Sequence, residues 1–179
     1  PYTTLFRSTT IELDGDNELK SGAGHAGLEH NKTDTSGELT IQDKDKNGSL
    51  EAAGGFKGAG IGSAGSNDAQ VKITGGNITA TSDDWGAGIG SGSEKGCSNI
   101  VIESGTITAK GGDLGAGIGG GQLAAGQNIT IRDGNVTAIP GREAAGIGGG
   151  NRGDGKNITI EGGTVYAESG GGNGPAAAI

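Results

Sequence analysis

The chain is poor in the residues that usually hold a compact domain together. It has one cysteine, Cys97, in 179 residues, which excludes an intrachain disulfide framework and leaves the redox compartment open. Methionine is absent, and there are only three prolines, one Trp, two Tyr and two Phe. Leu, Ile, Val and Phe together number 31. That is too few to fill the wide core of a layered globular domain. No run approaches the roughly 18 apolar residues of a membrane-spanning helix. The 13 basic residues are scattered and outnumbered by 21 acidic ones, for a net charge of −8, which argues against nucleic acid as a partner. Two histidines, His25 and His30, stand near the start and do not make a histidine metal site. No cofactor is expected.

Glycine is abundant, at 42 residues, and it is periodic. Ala-Gly-Ile-Gly stands at 59–62, 87–90, 116–119 and 145–148, with the isoleucines spaced 28, 29 and 29. A second element reads Val71-Lys72-Ile73, Ile100-Val101-Ile102, Ile129-Thr130-Ile131 and Ile158-Thr159-Ile160. A third begins at Asn77, Thr106, Asn135 and Thr164. Both repeat every 29 residues. Three registers sharing one period overturn the disorder that composition alone would indicate.

Each element is short and alternates apolar with polar residues, which is the period of a strand. Gly, Asn, Asp and Ser fill the gaps, which is turn chemistry. The pattern predicts an all-β, right-handed parallel β-helix (a β-solenoid) of about 29 residues and three short strands per coil. Ile73, Ile78, Ile89, Ile102, Ile107, Ile118, Ile131, Val136 and Ile147 should line a narrow core. If strand alternation holds through the glycine element, Gly86, Gly88 and Gly90 point outward and leave a face nearly free of side chains. Asn99, Asn128 and Asn157 recur before the first strand, either as a hydrogen-bonded ladder or through turn preference. Residues 9–37 read as a degenerate first coil and 38–179 as regular repeats. Residues 1–8 resemble translated sequencing-adapter read-through and are set apart from the fold. The chain stops at Ala177-Ala178-Ile179, inside what reads as another Ala-Gly-Ile element. Terminal coils with unpaired parallel strands would be templates for end-to-end self-association.

Several groups could carry chemistry. Asn77/Thr79, Thr106/Thr108, Asn135/Thr137 and Thr164/Tyr166 should face outward as two parallel files. These resemble the Thr-x-Thr ladders of ice-binding β-solenoids, although Asn and Tyr interrupt them. Asp43-Lys44-Asp45-Lys46-Asn47-Gly48 with Glu51 matches the first half of a calcium loop, with Asp43, Asp45, Asn47 and Glu51 as oxygen donors. The twelfth position is Gly54, so the bidentate glutamate is missing. Asp83, Asp84, Asp113 and Glu143 lie between the second and third strands of successive coils. Polysaccharide-degrading β-helix enzymes place carboxylates on one face, in a cleft built by long loops; the loops here are short. Trp85 and Leu114 could form a small apolar patch on which a sugar stacks. Cys97, in a polar turn, has no evident role.

Residues 38–179 resemble the glycine-rich Gly-Ala-Gly-Ile-Gly-Gly-Gly repeats of large bacterial cell-surface and secreted proteins, with the motif clearest at Gly115–Gly121. The resemblance implies a non-catalytic structural or adhesive module in an extracellular setting. Glycans or cell-surface and matrix components are the expected partners. Ice binding and polysaccharide degradation are the alternatives.

Overall fold

The computed structural model describes residues 7–32, 36–65, 67–94, 99–172 and 177–179. Cys97 lies outside them. Among the described residues there is no helix. The chain winds as a solenoid of three parallel sheets. The first sheet stacks Arg7–Glu12, Ser36–Gln42, Val71–Ile73, Ile100–Ile102, Gly126–Ile131 and Gly155–Ile160. The second stacks Asp16–Lys20, Ser49–Gly54, Asn77–Ser82, Thr106–Lys110, Asn135–Ile139 and Thr164–Ala167. The third stacks Leu28–Glu29, Ile61–Gly62, Ile89–Gly90, Ile118–Gly119 and Ile147–Gly148. A small antiparallel pair, Asn31–Lys32 with Asp68–Ala69, ties the first two coils together outside this scheme.

The degenerate start contributes a strand to all three sheets. Its first strand begins at Arg7, so two of the eight residues set apart from the fold belong to a strand, and Arg7 pairs with Ser36. Residues 1–6 lie outside the described part.

Register follows the repeat. Val71, Ile100, Ile129 and Ile158 face one another across the first sheet, and Ile73, Ile102, Ile131 and Ile160 do the same. All nine residues expected in the core are buried there. The core is a column of stacked β-branched side chains, each fitting between equivalents one coil above and below. That geometry suits the stiff Ile rotamer and explains how 31 large apolar residues suffice.

The corners are fixed by backbone conformation. Asn99, Asn128 and Asn157 have φ of 57, 55 and 52°, a left-handed conformation that asparagine tolerates better than most residues. The Asn157 side-chain amide also donates to Asn128 Oδ1 at 3.0 Å. Turn preference and ladder therefore act together at this corner.

The glycine element departs from the expectation of an outward, bare face. Gly86 through Gly90 are all buried. In a regular strand successive N–H groups point to opposite sides. Here Gly88 and Ile89 both donate to the following coil, to Ala116 O and Gly117 O, each at 3.0 Å. The segment closes on itself as well: Ala87 N–H reaches Ser91 O at 3.1 Å, and the same bond forms from Ala59, Ala116 and Ala145. The element is a tight curl stacked on identical curls, so alternation fails. A Cβ on Gly119 would stand 2.0 Å from Gly148 O, and its φ is +135°. Gly90 and Gly62 are in the same position one and two coils earlier.

Gly119→Ala combines left-handed strain with a backbone clash, and the two together should cost about 3 kcal/mol or more. Gly22, with nothing within 4 Å of an added Cβ, should accept alanine within about 0.5 kcal/mol. Denaturant unfolding of the two variants checks this; equal stabilities would contradict the curl.

Candidate functional site

An open groove of about 1040 Å³ lies on the corner after the second sheet. One wall is an outward file of that sheet, Lys20, Ala53, Thr81 and Lys110, which stand in register coil by coil. The other is the outgoing loop of each coil, with Asp83, Asp113 and Arg142. Glu168 lines the far end. The floor is glycine, and the reason is again stacking: a Cβ on Gly112 would stand 2.4 Å from Asp84 O, and one on Gly141 1.9 Å from Gly112 O. Short loops thus build a groove by repetition, without the long loops that a cleft in a single coil would need.

The groove carries Lys20, Lys110 and Arg142 against Asp83, Asp113 and Glu168. Asp113 and Arg142, one coil apart, form a bidentate pair, with Arg142 Nε donating to Asp113 Oδ1 at 2.8 Å and Nη2 to Oδ2. The hydrogen bonds from Arg142 hold the Asp113 carboxyl below the usual carboxylate range; desolvation opposes them and the guanidinium charge adds to them. That direction is wrong for a general acid, whose carboxyl must be held up. Of the other carboxylates considered for catalysis, Asp83 lines the groove and Asp84 and Glu143 do not. Glu143 accepts from Asn151 Nδ2 at 2.7 Å.

The calcium candidates are not brought together. Both carboxylate oxygens of Asp43 accept backbone N–H groups, from Asn47 and Gly48, each at 3.1 Å. The Asn47 side chain donates to Asp14. Glu51 sits in the second sheet, opposite Glu18 and Thr79, while Asp45 stays exposed. No group of three or more His, Cys, Asp or Glu that could hold a metal occurs among the described residues. No helix there is long and apolar enough to cross a membrane.

The two polar files of the second sheet are in register. Asn77, Thr106, Asn135 and Thr164 align, as do Thr79, Thr108, Thr137 and Tyr166. Ser49 and Asp16 extend the first file, and Glu51 and Glu18 the second. At the other end Tyr166 is well exposed, and the Glu168 carboxylate raises its phenol pKa by hydrogen bonding and charge.

Trp85 is paired with a second aromatic ring. Its ring lies 4.7 Å from that of Phe56, tilted by 52°, and Lys57 Nζ sits 5.0 Å from the Trp85 centroid. Lys57 also pairs with Glu94 at 3.5 Å. Phe56 went unnoticed in the sequence because it falls one position out of column with Trp85, and only the curl brings the rings together.

A beta helix repeat model matches residues 71–93, 100–122, 129–151 and 158–179, just over half of the chain. The chain belongs to the beta helix repeat family. The first three matched repeats each start in a first-sheet strand and run through the second sheet and the glycine curl; the fourth starts in the first sheet and runs through the second. The unmatched coils before residue 71 carry the same three-sheet plan. No curated protein and no solved structure matches this beta helix chain.

The Asp113–Arg142 pair has a pH signature. A depressed folded pKa contributes stability above the unfolded aspartate value, and that contribution is lost as pH falls through the folded pKa. In Arg142→Ala the Asp113 carboxyl should titrate at higher pH, in the ordinary aspartate range, by side-chain carboxyl NMR. An unchanged midpoint would show that the pair does not form in solution.

Proposed function

We propose that this beta helix chain is a non-catalytic structural and adhesive module of a bacterial cell-surface or secreted protein, and that it binds carbohydrate. The observation that carries the reading is the groove: long, polar, balanced in charge, and with its Asp113 carboxylate committed to Arg142. Such a surface offers many donors and acceptors to hydroxyl groups and no arrangement of nucleophile, base and orienting group. The extracellular setting rests on the resemblance to glycine-rich surface-protein repeats. Structural duty follows from the architecture, since stacked coils give a stiff rod whose stability accumulates along its axis.

Glycan-array binding together with product analysis tests this. The expected result is retention of glycans with no release of reducing ends or unsaturated products. Cleavage of a polysaccharide would put the enzymatic reading first.

Ice binding remains the second reading because Thr79, Thr108 and Thr137 align in one file. Glu18, Glu51 and Tyr166 occupy the same file and interrupt the plane that an ice surface would require. Wild-type protein should therefore show no thermal hysteresis. Hysteresis abolished by Thr108→Tyr would reverse the order of the two readings.

A further inference from the structure

The groove crosses six coils, from Lys20 in the first to Gly171 in the last. Five strand spacings of about 4.8 Å give it a length of roughly 24 Å along the stacking axis. Building on the carbohydrate-binding reading above, we infer that its ligand is an uncharged linear polysaccharide lying parallel to that axis.

The shape selects a chain. A volume of about 1040 Å³ spread over that length makes an open furrow, where a compact small molecule would leave most of its surface in water. Affinity then accumulates from successive weak contacts, one coil at a time.

Charge selects a neutral chain. Three cations and three anions line the groove, so a polymer of either sign meets like charges along its path. The net charge of −8 further repels a polyanion. Hydroxyl groups, which both donate and accept, use the ammonium of Lys110, the hydroxyl of Thr81 and the carboxylate of Asp83 equally well. The Asp113–Arg142 pair contributes a preorganised acceptor and donor whose geometry is already set.

The backbone disfavours an extended peptide. Peptides that add to a sheet need an unpaired edge. Here the strand hydrogen bonds run along the axis between coils, and the floor amides are already taken. Gly112 N–H is bound to Gly86 O at 3.0 Å, Gly111 N–H to Ile139 O at 2.8 Å, and Gly141 N–H to Gly115 O at 2.9 Å. A peptide laid in the furrow finds no ladder.

The test is calorimetric titration of the whole chain with length series of neutral gluco-, xylo- and manno-oligosaccharides, and with oligogalacturonate as the anionic counterpart. Thr81→Trp fills the middle of the furrow, and the double variant Asp113→Ala/Arg142→Ala removes the fixed pair. Thr130→Trp, on the outward face of the first sheet, is the control. A neutral series should bind with affinity that rises with chain length until the groove is spanned. Both groove variants should weaken it tenfold or more, and the control should leave it unchanged. If Thr81→Trp lowers the melting temperature, the double variant at exposed positions decides alone. Neutral-glycan binding untouched by the groove variants overturns the groove and leaves the adhesive reading standing. Preference for oligogalacturonate overturns the charge argument. Silence across all series overturns the groove and the carbohydrate reading together.

Discussion

Coil-to-coil contact between bare backbones is the constraint on which the rest depends. The curls at Ala59–Ser63, Ala87–Ser91, Ala116–Gly120 and Ala145–Gly149 close on themselves and bond to their neighbours through consecutive amides. Nothing larger than hydrogen fits at Gly86 or Gly115, where an added Cβ would stand 2.1 and 1.9 Å from a carbonyl oxygen of the preceding coil. The composition follows from this. Glycine is common because one wall of the solenoid is made of packed main chain, and large apolar residues are few because the remaining interior is a narrow column. Buried serines complete the wall: the Ser63 and Ser91 hydroxyls accept N–H bonds from Gly92 and Gly121 one coil on.

Much of this was legible in the sequence, because parallel stacking places residue i beside residue i+29. The isoleucine columns, the in-register polar files and the asparagine corner could each be read from spacing alone. The same logic explains the ion pairs that climb the solenoid, such as Lys72 and Arg132 on Glu103 and Arg142 on Asp113. These are exposed pairs whose worth is small one by one.

What the sequence hid arises where the chain leaves the strand period. Strand alternation would put Gly86, Gly88 and Gly90 on the surface, but in the glycine element the strands are two residues long and the chain curls, so all three are buried. The groove was hidden for a related reason. It is formed by Thr81, Asp83, Lys110, Asp113 and Arg142 acting across coils, and no single loop carries its signature. Phe56 was hidden because its contact with Trp85 is diagonal. The Asp-x-Asp-x-Asn-Gly string at Asp43–Gly48 closes a turn, in which Asp43 caps the Asn47 and Gly48 amides.

Native-state hydrogen exchange tests the central constraint most directly. The amides of Gly60, Gly88 and Gly117 each bond to the following coil, at 3.0, 3.0 and 3.3 Å. A packed backbone wall predicts that they exchange as slowly as the amide of Ile102 in the first sheet, through global rather than local opening. Exchange at the rate of exposed loop amides would contradict the account and return the glycines to an open face.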